Sequence, residues 1–125
     1  MNVVDSSAWL EYFADGPNAD HFAPAIEATA ALVVPTVTLY EVHRRVLQQR
    51  DEAAALQATG IMLQGRVVEL TTEIALLAAR TSIELRLPMA DALILATARI
   101  HEATLWTQDV DFRGIEGVRY LARKV

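Results

Sequence analysis

The chain reads as an α/β domain, a short-stranded and mainly parallel central sheet flanked by helices, and three observations lead there. Short apolar segments alternate with stretches of helical periodicity, the pattern of crossover connections. The apolar segments are hydrophobic along their whole length, as strands are when both sheet faces are covered. Four acids, Asp5, Glu41, Asp91 and Asp109, each fall just past a strand or near a helix start. In a parallel sheet those positions share the carboxyl edge, where such folds bind ligands.

The elements follow in order. Asn2–Val4 is the first strand, and the helix over Ser6–Ala14 is broken by Gly16-Pro17. Trp9, Tyr12 and Phe13 repeat at helical spacing and belong mostly to the core. A second helix covers about Asn18 to Ala28. The strand Ala31–Val34 stops at Pro35, and helices follow over about Val37–Gln49 and Glu52–Leu63, the latter ending near Gly65. Val67–Leu70 is a short strand. Thr71-Thr72-Glu73 caps a helix reaching about Arg86, with Ile74, Leu77, Ala78 and Thr81 on one face. Pro88 suits the first turn of a helix that runs to about Glu102. Strands at Thr104–Trp106 and Val118–Leu121 close the chain around a turn-rich Asp109–Gly117.

Composition sets limits. A chain of 125 residues is one domain spanning 1–125, with 53% hydrophobic and 22% charged residues. No apolar run approaches the ~20 residues of a membrane span. The start Met1-Asn2-Val3-Val4-Asp5 has no basic signal region. With no cysteine, a disulfide framework and a thiolate metal site are excluded, and the expected location is the cytoplasm. A net charge of −5 argues against a nucleic-acid partner on its face. The four acids carry −4 of it, leaving −5 + 4 = −1 for the remainder. Ten of the eleven basic residues are arginine, the side chain that grips phosphate bidentately.

Each acid taken singly has a local explanation. Asp5 fits a helix N-cap, and Thr38-Leu39-Tyr40-Glu41 fits a capping box. Asp91 complements a helix dipole, and Asp109 is an ordinary turn residue. Those explanations do not require all four to reach one edge of one sheet. Four like charges there repel unless a cation holds them, and carboxylate oxygens suit Mg²⁺ or Mn²⁺. Such ions commonly act on phosphates. His21, His43 and His101 lack metal-ligand spacing, and neither G-x-G-x-x-G after a strand nor a P-loop is present. Arg44 and Arg45 follow Glu41 on its helix, and Arg113, Arg119, Arg123 and Lys124 make the C-terminal end locally basic.

Four segments taken together carry a resemblance. They are Val3-Val4-Asp5-Ser6-Ser7, Pro35-Thr36-Val37-Thr38-Leu39-Tyr40-Glu41-Val42, Leu87-Pro88-Met89-Ala90-Asp91-Ala92 through Ala98, and Trp106-Thr107-Gln108-Asp109-Val110-Asp111-Phe112. In order and spacing the whole chain resembles PIN domains, and within them the VapC-type ribonuclease toxins of toxin–antitoxin pairs. The resemblance implies a three-layer PIN-like fold and an endoribonuclease whose metal-activated water attacks a phosphodiester. It makes Asp5, Glu41, Asp91 and Asp109 the catalytic acids. Asp5, Asp91 and Asp109 become the ligands of Mg²⁺, with Mn²⁺ a substitute. Ser6 and Thr107 support the site, and Asp111 is a possible fifth acid. It further implies an RNA substrate and an antitoxin protein partner, while the chain's own apolar content leaves room for a homodimer face on the Glu73–Arg86 helix.

Two other functions compete. One is a non-catalytic PIN-like module that binds RNA or a partner. The other is aspartyl phosphoryl transfer through Asp5, which is weakened because Ser7 stands where such hydrolases place a second acid. Metal-dependent cleavage separates the first from the nuclease, and a covalent phospho-aspartate would mark the second.

Overall fold

The computed structural model describes residues 1–124. Five strands, β1 (Asn2–Val4), β2 (Leu32–Pro35), β3 (Arg66–Val68), β4 (Thr104–Thr107) and β5 (Val118–Tyr120), form one sheet in the order β3-β2-β1-β4-β5. Every pairing is parallel, with Val3 opposite Val33 and Leu105, and Thr107 opposite Tyr120. Six α-helices pack around it: α1 (Ser6–Phe13), α2 (Ala19–Glu27), α3 (Thr36–Gln49), α4 (Glu52–Met62), α5 (Thr72–Leu85) and α6 (Met89–Ile100). Short 3-10 turns occupy Thr29–Ala31 and Val110–Phe112. Among the described residues, no helix is long and apolar enough to cross a membrane.

The central strands β1, β2 and β4 are covered on both faces. Val3, Val33 and Leu105 pack with Ile74, Ala78 and Leu95 of α5 and α6. Val4, Leu32 and Val34 face the other way, toward Trp9, Phe22 and Met62 of α1, α2 and α4. One residue's step along β1 thus passes from one core to the other, the period-2 alternation that gives three layers. At Gly65 the chain turns into β3 so close to β2 that a Cβ would lie 2.9 Å from Val34 Cγ2.

Helix starts follow local chemistry. Asp51 accepts from Ala54 N at 2.8 Å, and Thr71 Oγ1 from Ile74 N at 3.2 Å. The capping box expected at Thr38–Glu41 does not form. Helix α3 begins at Thr36, directly after β2, and Thr38 Oγ1 donates back to Pro35 O at 2.7 Å. Glu41 therefore lies in the second turn and is not engaged in holding a helix start.

The topology explains where the acids meet. The chain leaves β1 toward β2 and β3 and then crosses back to β4 and β5 on its other side, a reversal of strand order that places the binding crevice of such folds at the carboxyl ends of β1 and β4. Asp5 directly follows β1, and Asp109 comes two residues after β4. α6 enters β4 through the tight turn His101–Ala103, so it runs back along the sheet and its first turn, with Asp91, lies at that same edge.

Candidate acidic metal site

Asp5 is the innermost of the acids, only 3% exposed. It is also the α1 N-cap, with Ser7 N 3.4 Å from its Oδ2. The same oxygen accepts from Ser7 Oγ at 2.7 Å and from Thr107 Oγ1 at 2.8 Å. All three bonds converge on Oδ2, which leaves Oδ1 for a further ligand. Burial pushes the Asp5 carboxyl above its ordinary range. The Ser7 and Thr107 hydrogen bonds oppose that rise, and the nearby Asp109 charge adds to it.

The other acids assemble around this fixed point. Ser6 Oγ donates to Glu41 Oε1 at 2.6 Å, tying α3 to the start of α1. Thr107 Oγ1, which donates to Asp5, accepts from Asp109 N at 2.9 Å, so one hydroxyl bridges two acids. Asp109 Oδ1 accepts from Asp111 N at 2.9 Å and starts the 3-10 turn whose Phe112 is fully buried. The turn brings Asp111 back: carboxylate oxygens of Asp91, Asp109 and Asp111 lie within 4.8 Å of one another. Asp5 and Glu41 stand outside that tightest group, but the Asp5 charge acts on Asp91, and Glu41 feels the charges of Asp5 and Asp109. Burial raises the Glu41 carboxyl, with Asp5 and Asp109 adding to the rise and the Ser6 bond opposing it. Asp91 is pushed up to about 8, first by burial, then by the charges of Asp5 and Asp109 and by a carboxyl–carboxylate hydrogen bond to Asp111.

The structure gathers Asp91, Asp109 and Asp111 most tightly, with Asp5 and Glu41 alongside; Ser6 contacts Glu41, and Thr107 contacts Asp5 and the Asp109 backbone. No basic side chain is among the charges that move Asp5, Glu41 or Asp91. The donors are all hard oxygens, which fits Mg²⁺ or Mn²⁺ and not a metal that prefers thiolate or imidazole. Like charges at this spacing are unfavourable until a cation or protons neutralise them.

Three further side chains belong to the site, and sequence reasoning assigned none of them. Ser7 holds Asp5 as closely as Thr107 does; the run Asp5-Ser6-Ser7, with two hydroxyls after the acid, is its local signal. Gln108 N donates to Ser7 Oγ at 3.3 Å, and Gln108 Nε2 to Ser7 O at 3.4 Å. Asn18 Nδ2 donates to Gln108 Oε1 at 3.1 Å and to Ala122 O at 3.0 Å. Asn18 and Gln108 are 1% and 2% exposed, and Asn18 Oδ1 is buried without a partner. Leaving such an acceptor unmet costs about 1–3 kcal/mol. His43 is occupied elsewhere, its Nδ1 2.7 Å from Thr59 Oγ1.

Comparison with known proteins identifies the family of this fold. The profile of the PIN domain family matches residues 3–118. A chain of a toxin–antitoxin complex from Klebsiella pneumoniae is similar at 26% identity and a TM-score of 0.79, covering 95% of this chain and 96% of its own. VapC20 of Mycobacterium tuberculosis, a sarcin-ricin loop cleaving toxin, shares the fold at 20% identity and TM-score 0.75, over 93% of this chain and 95% of its own. A chain of VapBC2 from Rickettsia felis, solved with a DNA fragment from its promoter, does so at 13% identity and TM-score 0.75, over 97% of both chains. No curated protein sequence matches. With residues 3–118 of its 125 matched by the family profile, the chain belongs to the PIN domain family.

Proposed function

We propose that this protein is a Mg²⁺-dependent endoribonuclease, with Mn²⁺ a workable substitute, and that it acts as the toxin of a toxin–antitoxin pair. One observation carries the reading. Carboxylate oxygens of Asp91, Asp109 and Asp111 lie within 4.8 Å of one another beside the buried Asp5, and Asp91 is pushed up to about 8 with no basic side chain among the charges acting on it. The similar toxin that cleaves the sarcin-ricin loop supports RNA as substrate.

Asp5, Asp91 and Asp109 are the residues we assign to hold the ion, with Asp111 beside them. The ion would neutralise their charge and that of the scissile phosphate, and would make water a stronger nucleophile. The chain's own groups do the positioning. Ser7 and Thr107 fix Asp5 through Oδ2, and Thr107 couples that position to the Asp109 backbone. Ser6 occupies Glu41 Oε1, leaving Oε2 to take a proton from attacking water. No pair of histidines offers the acid and base needed for attack by the RNA's own 2′-OH, so the products should carry 5′-phosphate and 3′-hydroxyl ends.

The test is direct. Exhaustively chelated protein should not cut RNA, and Mg²⁺ or Mn²⁺ should restore cutting. Activity that survives demetallation, or ends that prove to be 2′,3′-cyclic phosphate, would refute this mechanism. RNA binding without cutting in Mg²⁺ would instead identify the non-catalytic module.

The structural neighbours also support an antitoxin partner. An apolar cleft between α3 and α4, with Tyr40 and Leu47 exposed along it, suits an apolar segment of such a partner. Exposed Leu76 and Ile83 on α5 suit a second copy of this chain, the homodimer face expected on that helix. A cytoplasmic location belongs to the same proposal. Solo expression should arrest growth, and co-expression of the antitoxin should relieve it.

A further inference from the structure

Two clefts adjoin the acids on the α1–α3 side. One, of about 430 Å³, is lined by Ser6, Ser7, Glu41, Arg44, Arg45 and Arg123. The other, of about 320 Å³, is lined by Ser7, Arg45, Gln49, Gln108 and Arg123, with Glu11 at its side. Ser7, Arg45 and Arg123 line both, so the two form one groove that begins at the hydroxyls holding Glu41 and Asp5. Arg44, Arg45 and Arg123 are exposed there. Glu11, which could offset them, accepts from Asn18 N at 2.7 Å and is packed over Gly16.

Arg123 comes from the C-terminal segment, far from α3 in sequence, and its place in the groove has a structural cause. Leu121 N donates to Thr107 O at 3.0 Å, carrying β5 one residue past its end. The next carbonyl, Ala122 O, is held by the buried Asn18 Nδ2. Asn18 also grips Gln108, which grips Ser7, so the backbone beside Arg123 is tied through side chains to the hydroxyl on Asp5.

We propose that Arg44, Arg45 and Arg123 bind the phosphate backbone of a single RNA strand where it leaves the acids, and that Asn18 and Gln108 are positioning residues that hold Arg123 in that track. Guanidinium groups pair bidentately with phosphate, and a strand with one phosphodiester at the acids has its next phosphates beside this groove. The inference rests on the nuclease reading for its choice of RNA. It adds the side from which the strand enters and the residues that set its register.

The experiment measures anisotropy of a fluorescein-labelled single-stranded RNA of about 16 nucleotides across a salt series. Ca²⁺ replaces Mg²⁺, and the RNA is checked on a gel for integrity. Removing one arginine–phosphate pairing should flatten the slope of log affinity against log salt by about 0.7. Arg123→Ala should show one such step, with affinity several-fold weaker at low salt and an unchanged melting temperature. The triple variant Arg44→Ala/Arg45→Ala/Arg123→Ala should flatten the slope by about 2. Asn18→Ala should reproduce the Arg123→Ala change, and the double variant should add nothing to it, a coupling that mere destabilisation does not produce. If Asn18→Ala fails to fold, Arg123→Ala and the triple variant still decide.

Unchanged slopes in both would overturn the proposal. So would failure of the wild type to bind RNA, or weakened binding of the co-expressed antitoxin with RNA affinity intact, which would make the groove a peptide site. Mg²⁺-dependent cutting with unchanged slopes removes this inference alone. Flattened slopes in a protein that never cuts remove the nuclease reading and leave the phosphate track standing.

Discussion

Replacing Asp91 by Asn should make the metal-free protein more stable at neutral pH, and the size of the gain can be worked from the site. The Asp91 carboxyl rises from an ordinary 3.8 to about 8 in the folded chain. A carboxyl raised on folding binds its proton more tightly folded than unfolded. Its penalty is therefore absent below about pH 4 and grows until the pH passes the folded value near 8. At ~1.4 kcal/mol per unit the full shift would cost about 5–6 kcal/mol. Asp91 is partly exposed, and solvent screening reduces this to about 2–3 kcal/mol. Asn keeps the shape and carries no charge. For a 125-residue chain the gain corresponds to roughly 8–11 °C in melting temperature. Urea unfolding in chelator, from about pH 4 to pH 8.5, should show curves that meet at the acid end and separate steadily above it. Added Mg²⁺ should then stabilise the wild type strongly and the variant little, closing or reversing the gap. A gap independent of pH, or a variant less stable than wild type at pH 8 in chelator, would refute the claim that repulsion and burial dominate at Asp91.

Other outcomes follow from the same contacts. Thr107→Val removes a hydrogen bond that lowers the Asp5 carboxyl, so the acid limb of the pH–rate profile in Mg²⁺ should move to higher pH; an unmoved limb would mean that Thr107 does not tune Asp5. Phe112→Ala empties a fully buried position behind the Asp109–Asp111 turn and should cost about 3–5 kcal/mol in urea unfolding, with weaker Mg²⁺ binding by calorimetry. Arg86 ends α5 in the left-handed region at φ 55°, so Arg86→Gly should raise stability by about 1 kcal/mol in thermal melts without altering metal binding. Asp5→Asn should abolish cleavage while leaving the circular dichroism spectrum intact; wild-type cutting would remove Asp5 from the assigned ligands.

The strands and helices were legible because each announces itself locally. β1, β2 and β4 are apolar on both faces, and Asp51, Thr71 and Pro88 stand at their helix starts in the structure. The meeting of the acids was also legible, since a parallel sheet brings every strand's carboxyl end to one edge. What stayed hidden depends on three-dimensional pairing. The start of α3 at Thr36 shows only once β2 runs straight into the helix, and it removes the capping role that the local spacing gives Glu41. Asp111 is suggested as a fifth acid by resemblance alone, because the three-residue 3-10 turn that carries it into the tightest acid group is too short to leave a periodicity. Asn18 and Gln108 pair across 90 positions, and nothing beside either residue announces the other.

The sheet order also has a consequence for the timing of synthesis. β1, β2 and β3 lie side by side and come from the first 68 residues, so three of the five strands can pair while the remainder is still being made. β4 completes the other flank of β1, and Asp109, Asp111 and the segment gripped by Asn18 come later still. A growing chain on the ribosome thus carries Asp5 and Glu41 without the partners that make them a site. The acidic edge can be completed only once Asp109, Asp111 and the segment gripped by Asn18 have been made, so the half-built fold lacks the full cluster of acids while synthesis continues.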